Sequence, residues 1–167
     1  MADSPSTSIL PDFSASMTGN QSFRLLDYAG KTLILYFYPK DNTPGCTTES
    51  MAFRDLHSQL LARNTLVFGI SRDSLRSHEG FKTKLELPFD LIADPSEEVC
   101  LLFGVMKLKK MYGKEVRGIE RSTFIIDITA DGQATIVKEW RGLRVPGHVN
   151  EVLGFIEQHT TDKANSS

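Results

Sequence analysis

The stretch from Leu33 to Glu49 limits the possible folds of this chain more than any other. Its first part, Leu33-Ile34-Leu35-Tyr36-Phe37-Tyr38, has the length and the β-branched or aromatic content of a strand covered on both faces. Pro39 ends that strand, and Pro44-Gly45 supplies turn chemistry. The following segment, Cys46 to Leu56, places apolar side chains at Met51, Ala52, Phe53 and Leu56, which predicts an amphipathic helix running to about Arg63. A second apolar run, Thr65-Leu66-Val67-Phe68-Gly69-Ile70-Ser71, then reads as another buried strand. Strand, helix, strand in this order means a parallel pair with a right-handed crossover.

The flanking segments extend that unit. Thr18-Gly19-Asn20-Gln21 lies between short alternating runs and predicts an N-terminal hairpin. Asp73-Ser74 can cap a helix through about Leu85, and Pro88 and Pro95 bracket an extended piece at Phe89 to Ala93. Ser96-Glu97-Glu98 opens a short helix ending near Gly104. Asp131-Gly132 joins strands at Ser122 to Asp127 and Ala134 to Trp140, and a helix from about Val149 to His159 closes the chain. The expected architecture is a thioredoxin-like α/β sandwich of three layers, with a mixed central sheet and the N-terminal hairpin added. Residues 1–9 and 161–167 are polar and expected to be flexible tails around a single domain at 10–160.

Cys46 falls in the first turn of its helix, where unpaired N–H groups and the helix dipole favour an anion and so stabilise thiolate over thiol. Thiolate is the reactive form of cysteine. Thr43, three residues earlier, can bring a hydroxyl beside the sulfur. The alternative role for Cys46 is an inert core thiol, common for free cysteines. Bulk properties narrow the choice: a net charge of −2 without a basic block argues against non-specific nucleic-acid binding. The one local basic cluster, Lys107-Leu108-Lys109-Lys110, reads as a solvated loop or strand edge. No run approaches the roughly 18 apolar residues of a membrane span, and Met1-Ala2-Asp3-Ser4 lacks secretory-signal features, so a cytoplasmic protein is expected.

Pro39-x-x-x-Thr43-x-x-Cys46 resembles the active-site signature of the peroxiredoxins, and Phe37 to Thr47 is similar to their bacterioferritin-comigratory (PrxQ) branch. The resemblance runs from about Leu10 to His159 and takes in Ser77-His78, Met111-Tyr112-Gly113-Lys114 and Gly118 to Phe124. It implies a thioredoxin-like fold and thiol-dependent reduction of hydrogen peroxide and organic hydroperoxides through a Cys46 sulfenic acid. Cys46, Thr43, Arg121 and Pro39 are then the catalytic set, and Thr43, Gly45, Cys46 and Arg121 bind substrate. Arg121 stands where the family carries its active-site arginine. No metal or organic cofactor is implied, because sulfur carries the chemistry, and the branch is mostly monomeric, so a monomer or weak dimer is expected.

The family often places a resolving cysteine five residues after the reactive one or on the next helix. Those positions here are Met51 and Lys82. A one-cysteine cycle is therefore expected, with an external thiol (thioredoxin, glutaredoxin or a small thiol) as reductant. Cys100 sits among Val99, Leu101, Leu102 and Phe103 and reads as a packing residue. His57, His78, His148 and His159 lack metal-ligand spacing and read as helix-surface or loop residues. Two rival functions share the scaffold: a thiol–disulfide oxidoreductase, disfavoured because Cys46 opens no C-x-x-C, and a peroxide sensor or binding protein.

Overall fold

In the computed structural model, which describes residues 8–165, an eight-stranded mixed sheet carries the molecule. In chain order the elements are β1 (Ser8–Leu10), β2 (Ser14–Met17), β3 (Gln21–Arg24), β4 (Thr32–Phe37), α1 (Pro44–Leu61), β5 (Thr65–Ser71) and α2 (Leu75–Leu85). There follow β6 (Leu91–Ala93), α3 (Glu98–Leu102), β7 (Met106–Met111), β8 (Lys114–Ile119), β9 (Ser122–Ile128), β10 (Ala134–Arg141) and α4 (His148–Asn165). The sheet order is β1-β10-β9-β4-β5-β6-β2-β3, with β4, β5 and β6 parallel and the remaining pairs antiparallel.

β4 lies at the centre, and all six of its residues are buried. Its alternation sorts the core into two clusters, as the period of two in a strand requires. Leu33, Leu35 and Phe37 pack on one side with Val99 and Cys100 of α3 and with Phe23 of the N-terminal hairpin. Ile34 and Tyr36 pack on the other with Phe53 of α1, Phe81 of α2 and Val152 of α4. Helices therefore cover both faces of a shared sheet, which gives the three layers expected from the strand–helix–strand order.

Tyr36 also fixes α1. Its hydroxyl is 2.9 Å from the Ser50 hydroxyl, and its ring stacks on Phe53 at 4.7 Å. Gly69 on β5 makes room for that ring: a Cβ there would lie 2.7 Å from Tyr36 Cζ and 2.9 Å from Leu91 Cδ2. This is a close approach that only glycine permits.

Two expectations change and a third is met. Ser8 and Ile9, assigned to a flexible tail, pair with Ile136 and Thr135 of β10, because that strand would otherwise leave an open edge; residues 1–7 and 166–167 lie outside the described part. Residues 161–165, assigned to the other tail, continue α4 to Asn165, held in part by Gln158 donating to Asp162 one turn on. Lys107 to Lys110 lie on an exposed strand edge, as expected: they belong to β7, which pairs with β8 in a separate two-stranded ribbon. Its turn is Tyr112-Gly113, both at positive φ.

Candidate active site

Thr43 is the N-cap of α1, with Pro44 at the first helical position, where its missing N–H costs nothing. The Thr47 amide reaches the Thr43 carbonyl at 2.9 Å. The Gly45 and Cys46 amides precede that bond and belong to the first turn, which has no intrahelical acceptors for its N–H groups. Cys46 is fully buried beneath this turn. The Thr43 hydroxyl donates to the Lys40 carbonyl at 2.9 Å, and among the described residues it makes no hydrogen bond to the sulfur. Pro39 is half-buried directly after buried Tyr38, at the point where β4 gives way to this turn.

Arg121 reaches the sulfur through the sheet. β9 runs antiparallel to β4 with Ser122 opposite Phe37, so the residue before Ser122 lies beside the end of β4 from which the Cys46 turn departs. The guanidinium donates from Nη2 to Cys46 Sγ at 3.3 Å and from Nη1 to Glu49 Oε1 at 2.7 Å. Burial works against its charge, but the neighbouring Glu49 and Cys46 raise its pKa above the usual arginine value. Gly45 completes the fit, since a Cβ at that position would lie 3.3 Å from Arg121 Nη2.

Glu49 is the residue that sequence reasoning missed. It is fully buried one turn after Cys46, and its Oε2 has no hydrogen-bond partner among the described residues. Burial raises its pKa to about 7, with the charge and hydrogen bond of Arg121 pulling the other way. The available signal was spacing: Cys46, Glu49, Phe53 and Leu60 fall on one helical stripe, and a carboxylate on a buried stripe calls for a partner. The histidine reading also changes. His78 and His148 are buried, because His78 shares the inward face of α2 with Phe81 and Leu85, and His148 caps the buried face of α4. His148 Nε2 lies 2.8 Å from the Thr123 hydroxyl, and burial lowers its pKa, with Glu151 opposing and Arg121 adding to that shift.

A largely apolar groove of about 630 Å³ opens beside the turn, lined by Pro44, Gly45, Ala52, Leu56, Val145 and Val149 among others. Cys100 lies away from all of this. It packs in the cluster on the opposite face of the sheet from Cys46, and burial, with Asp94 beside it, pushes its thiol pKa up. Its backbone N–H donates to Asp94 at 2.7 Å, which fixes α3 in place.

The AhpC/TSA family model matches residues 7–131. The chain belongs to the AhpC/TSA family. Among its peroxiredoxin relatives, the putative peroxiredoxin bcp of Coxiella burnetii is 46% identical over 144 residues, covering 86% of this chain and 93% of that one. Peroxiredoxin Bcp of Bacillus subtilis is 46% identical over 143 residues, covering 86% and 88%. The structure of a Cys-to-Ser variant of Xylella fastidiosa PrxQ superposes with a TM-score of 0.86 at 40% identity, covering 95% of this chain and 99% of that one. Bacterioferritin comigratory protein of Xanthomonas campestris, studied as trapped intermediate and ligand complexes for its alkyl peroxide reduction activity, gives 0.81 at 41% identity, with coverage of 89% and 92%. This chain is thus a thiol-dependent peroxidase of the Bcp/PrxQ kind, and its thioredoxin-like fold is that of these peroxiredoxins.

Proposed function

We propose that this peroxiredoxin reduces hydrogen peroxide and organic hydroperoxides at Cys46, with Arg121, Thr43 and the first turn of α1 holding the reacting oxygens. The Cys46 thiolate attacks one peroxide oxygen, an S–O bond forms, and the O–O bond breaks. Sulfur gives up two electrons. The leaving oxygen takes a proton and departs as water or an alcohol, and Cys46 remains as sulfenic acid. Negative charge moves from sulfur to the leaving oxygen along this path, so fixed donors near both atoms lower the barrier. Arg121 Nη2 and the Gly45 and Cys46 amides are such donors. The hydroxyl proton of Thr43 is committed to Lys40, so its oxygen is left to accept, which suits the O–H of an incoming hydroperoxide. Pro39 ends β4 and sets the direction of the turn.

One observation carries this reading: a permanently charged guanidinium 3.3 Å from a buried sulfur at a helix N-terminus. The cycle closes by thiol exchange. An external thiol attacks the sulfenic sulfur, expelling water and forming a mixed disulfide, and a second thiol releases Cys46. Met51 packs against the apolar cluster and Lys82 pairs with Asp90, while Cys100 lies across the sheet, so these positions favour an outside reductant of thioredoxin, glutaredoxin or small-thiol type. Among the described residues no helix is long and apolar enough to cross a membrane, and a cytoplasmic monomer or weak dimer is the form in which we place the activity.

The test is intact-mass analysis after one equivalent of peroxide with a sulfenic-acid trap, alongside steady-state turnover with a small thiol. Trapping at Cys46, repeated turnover and a dead Cys46→Ser variant are expected. Reaction at another residue overturns the assignment, and consumption of a single equivalent per chain makes the protein a sensor.

A further inference from the structure

Beyond Cys46, Glu49 and Arg121, a compact group of buried polar side chains lies under the turn that joins β4 to α1, around Asp41, which is 4% exposed. Its Oδ1 accepts the Tyr38 hydroxyl at 2.6 Å, and its Oδ2 accepts the Ser77 hydroxyl at 2.8 Å and meets His78 Nδ1 at 2.7 Å. The Asp41 N–H donates to Asp73 Oδ2 at 2.8 Å, and the Ser71 hydroxyl donates to the same oxygen at 2.6 Å. His78 Nε2 is 3.0 Å from the Ile92 carbonyl of β6. Through its side chain Asp41 is tied to Tyr38 just after β4 and to the first turn of α2, through its backbone N–H to the loop after β5, and through His78 to β6.

Asp41, Asp73 and His78 bring ligand-type atoms within 4.8 Å of one another, a spacing a cation would accept. The hydrogen bonds argue for a different use, because protein donors already fill both oxygens of Asp41 and the nearer oxygen of Asp73. The Ile92 carbonyl can only accept, so Nε2 carries a hydrogen. Nδ1 faces the Asp41 carboxyl, which also accepts from Tyr38 and Ser77, so the imidazole is held at both of its nitrogens. Burial pushes the Asp41 pKa up, yet the hydrogen bond and charge of His78, with Tyr38 and Ser77, hold it below the usual carboxylate value.

The rest of the turn has little of its own to hold it. Lys40 and Asn42 are exposed, Asn42 is in the left-handed region at φ 66°, and within the turn the Thr43 hydroxyl bonds back to Lys40. Thr43 and the start of α1 follow directly. We propose that Asp41 and His78 are positioning residues for the peroxide step, the pair fixing the turn and so setting Thr43 and the first turn of α1 against Arg121. This rests on the reading of Cys46 as the peroxide-reacting thiol.

Two substitutions at His78 separate positioning from simple packing. His78→Asn keeps a donor at the Nδ1 place, toward Asp41, whereas His78→Gln keeps one at the Nε2 place, toward Ile92. The measurement is the second-order rate constant for Cys46 oxidation by hydrogen peroxide in single turnover, with Tm for every variant. His78→Ala and His78→Gln are expected to slow that step by about tenfold or more, since a misplacement near 1 Å can cost about a hundredfold. His78→Asn should remain within about threefold of wild type by the same geometric argument. Equal rates for Asn and Gln, or rates that follow Tm across the series, overturn the proposal. Tyr38→Phe removes the Tyr38 hydroxyl that donates to Asp41 Oδ1 while keeping the ring, and it decides alone if no His78 variant folds: a slower peroxide step supports the proposal, a wild-type rate overturns it. Peroxide reduction that survives in Cys46→Ser would instead sink the underlying reading, so the two failures are distinguishable.

Discussion

Replacing Glu49 by Gln should remove a pH-dependent strain from the core. The wild-type carboxyl is fully buried, has one oxygen on Arg121 and the other without a hydrogen-bond partner among the described residues, and burial raises its pKa from the usual 4.5 to about 7. A pKa raised by folding means that the native state holds a proton which the unfolded chain has already lost. Stability from this group is therefore fully present below about pH 4.5 and declines as pH rises to about 7, levelling off beyond it. At about 1.4 kcal/mol per pKa unit, the total decline is on the order of 3 kcal/mol. Glutamine has nearly the same shape, keeps an acceptor for Arg121 Nη1, and never ionises. The difference in unfolding free energy, variant minus wild type, should accordingly rise by on the order of 3 kcal/mol between pH 4.5 and pH 8, because only the wild type must bury a charge at the upper end. Urea denaturation of both proteins at half-unit pH steps measures it, and taking the difference cancels the titrating groups that are not coupled to Glu49. A difference that stays flat across this window would show that Arg121 compensates the buried carboxylate fully, and the argument from burial would fail.

Gly45→Ala places a methyl group 3.3 Å from Arg121 Nη2, so the guanidinium must yield by a few tenths of an ångström; stopped-flow peroxide kinetics should show a several-fold slower step with Tm nearly unchanged. Gly69→Ala acts on the fold instead, since its Cβ would meet the Tyr36 ring at 2.7 Å, and overpacking of this kind costs about 1–3 kcal/mol in a denaturant titration. Cys100→Ser should leave small-thiol turnover close to wild type, because Cys100 packs on the other face of the sheet from Cys46. A Cys46–Cys100 disulfide on peptide mapping, together with poor turnover by that variant, would contradict the one-cysteine cycle.

The parts of this peroxiredoxin that its sequence determined by itself are those governed by near neighbours. A run of six large apolar residues admits hardly any state but a doubly covered strand, and Leu33 to Tyr38 are all buried. Pro44-Gly45 before an apolar-periodic segment begins a helix, so Cys46 had to lie in a first turn, and Thr43 had to precede it by one turn. The Ser74 cap and the Asp131-Gly132 hairpin are decided within four or five residues in the same way.

Contacts between distant segments were decided elsewhere. Arg121 is 75 positions from Cys46, and only the antiparallel register of β9 on β4 brings its guanidinium to the sulfur. The resemblance could name that arginine, but nothing in its own neighbourhood could. Glu49 and His78 look like ordinary helix residues in one dimension. They acquire unusual environments because α1 and α2 pack those faces against the sheet, where a buried carboxyl or imidazole must find a partner. The same sheet, by putting Cys46 and Cys100 on opposite faces, separates two thiols that the sequence merely shows to be two. Local pattern fixes which elements form, since backbone and side-chain preferences act over a few residues. The meeting of charges across the sheet is fixed by register and layer, which exist only once the whole chain has closed its core.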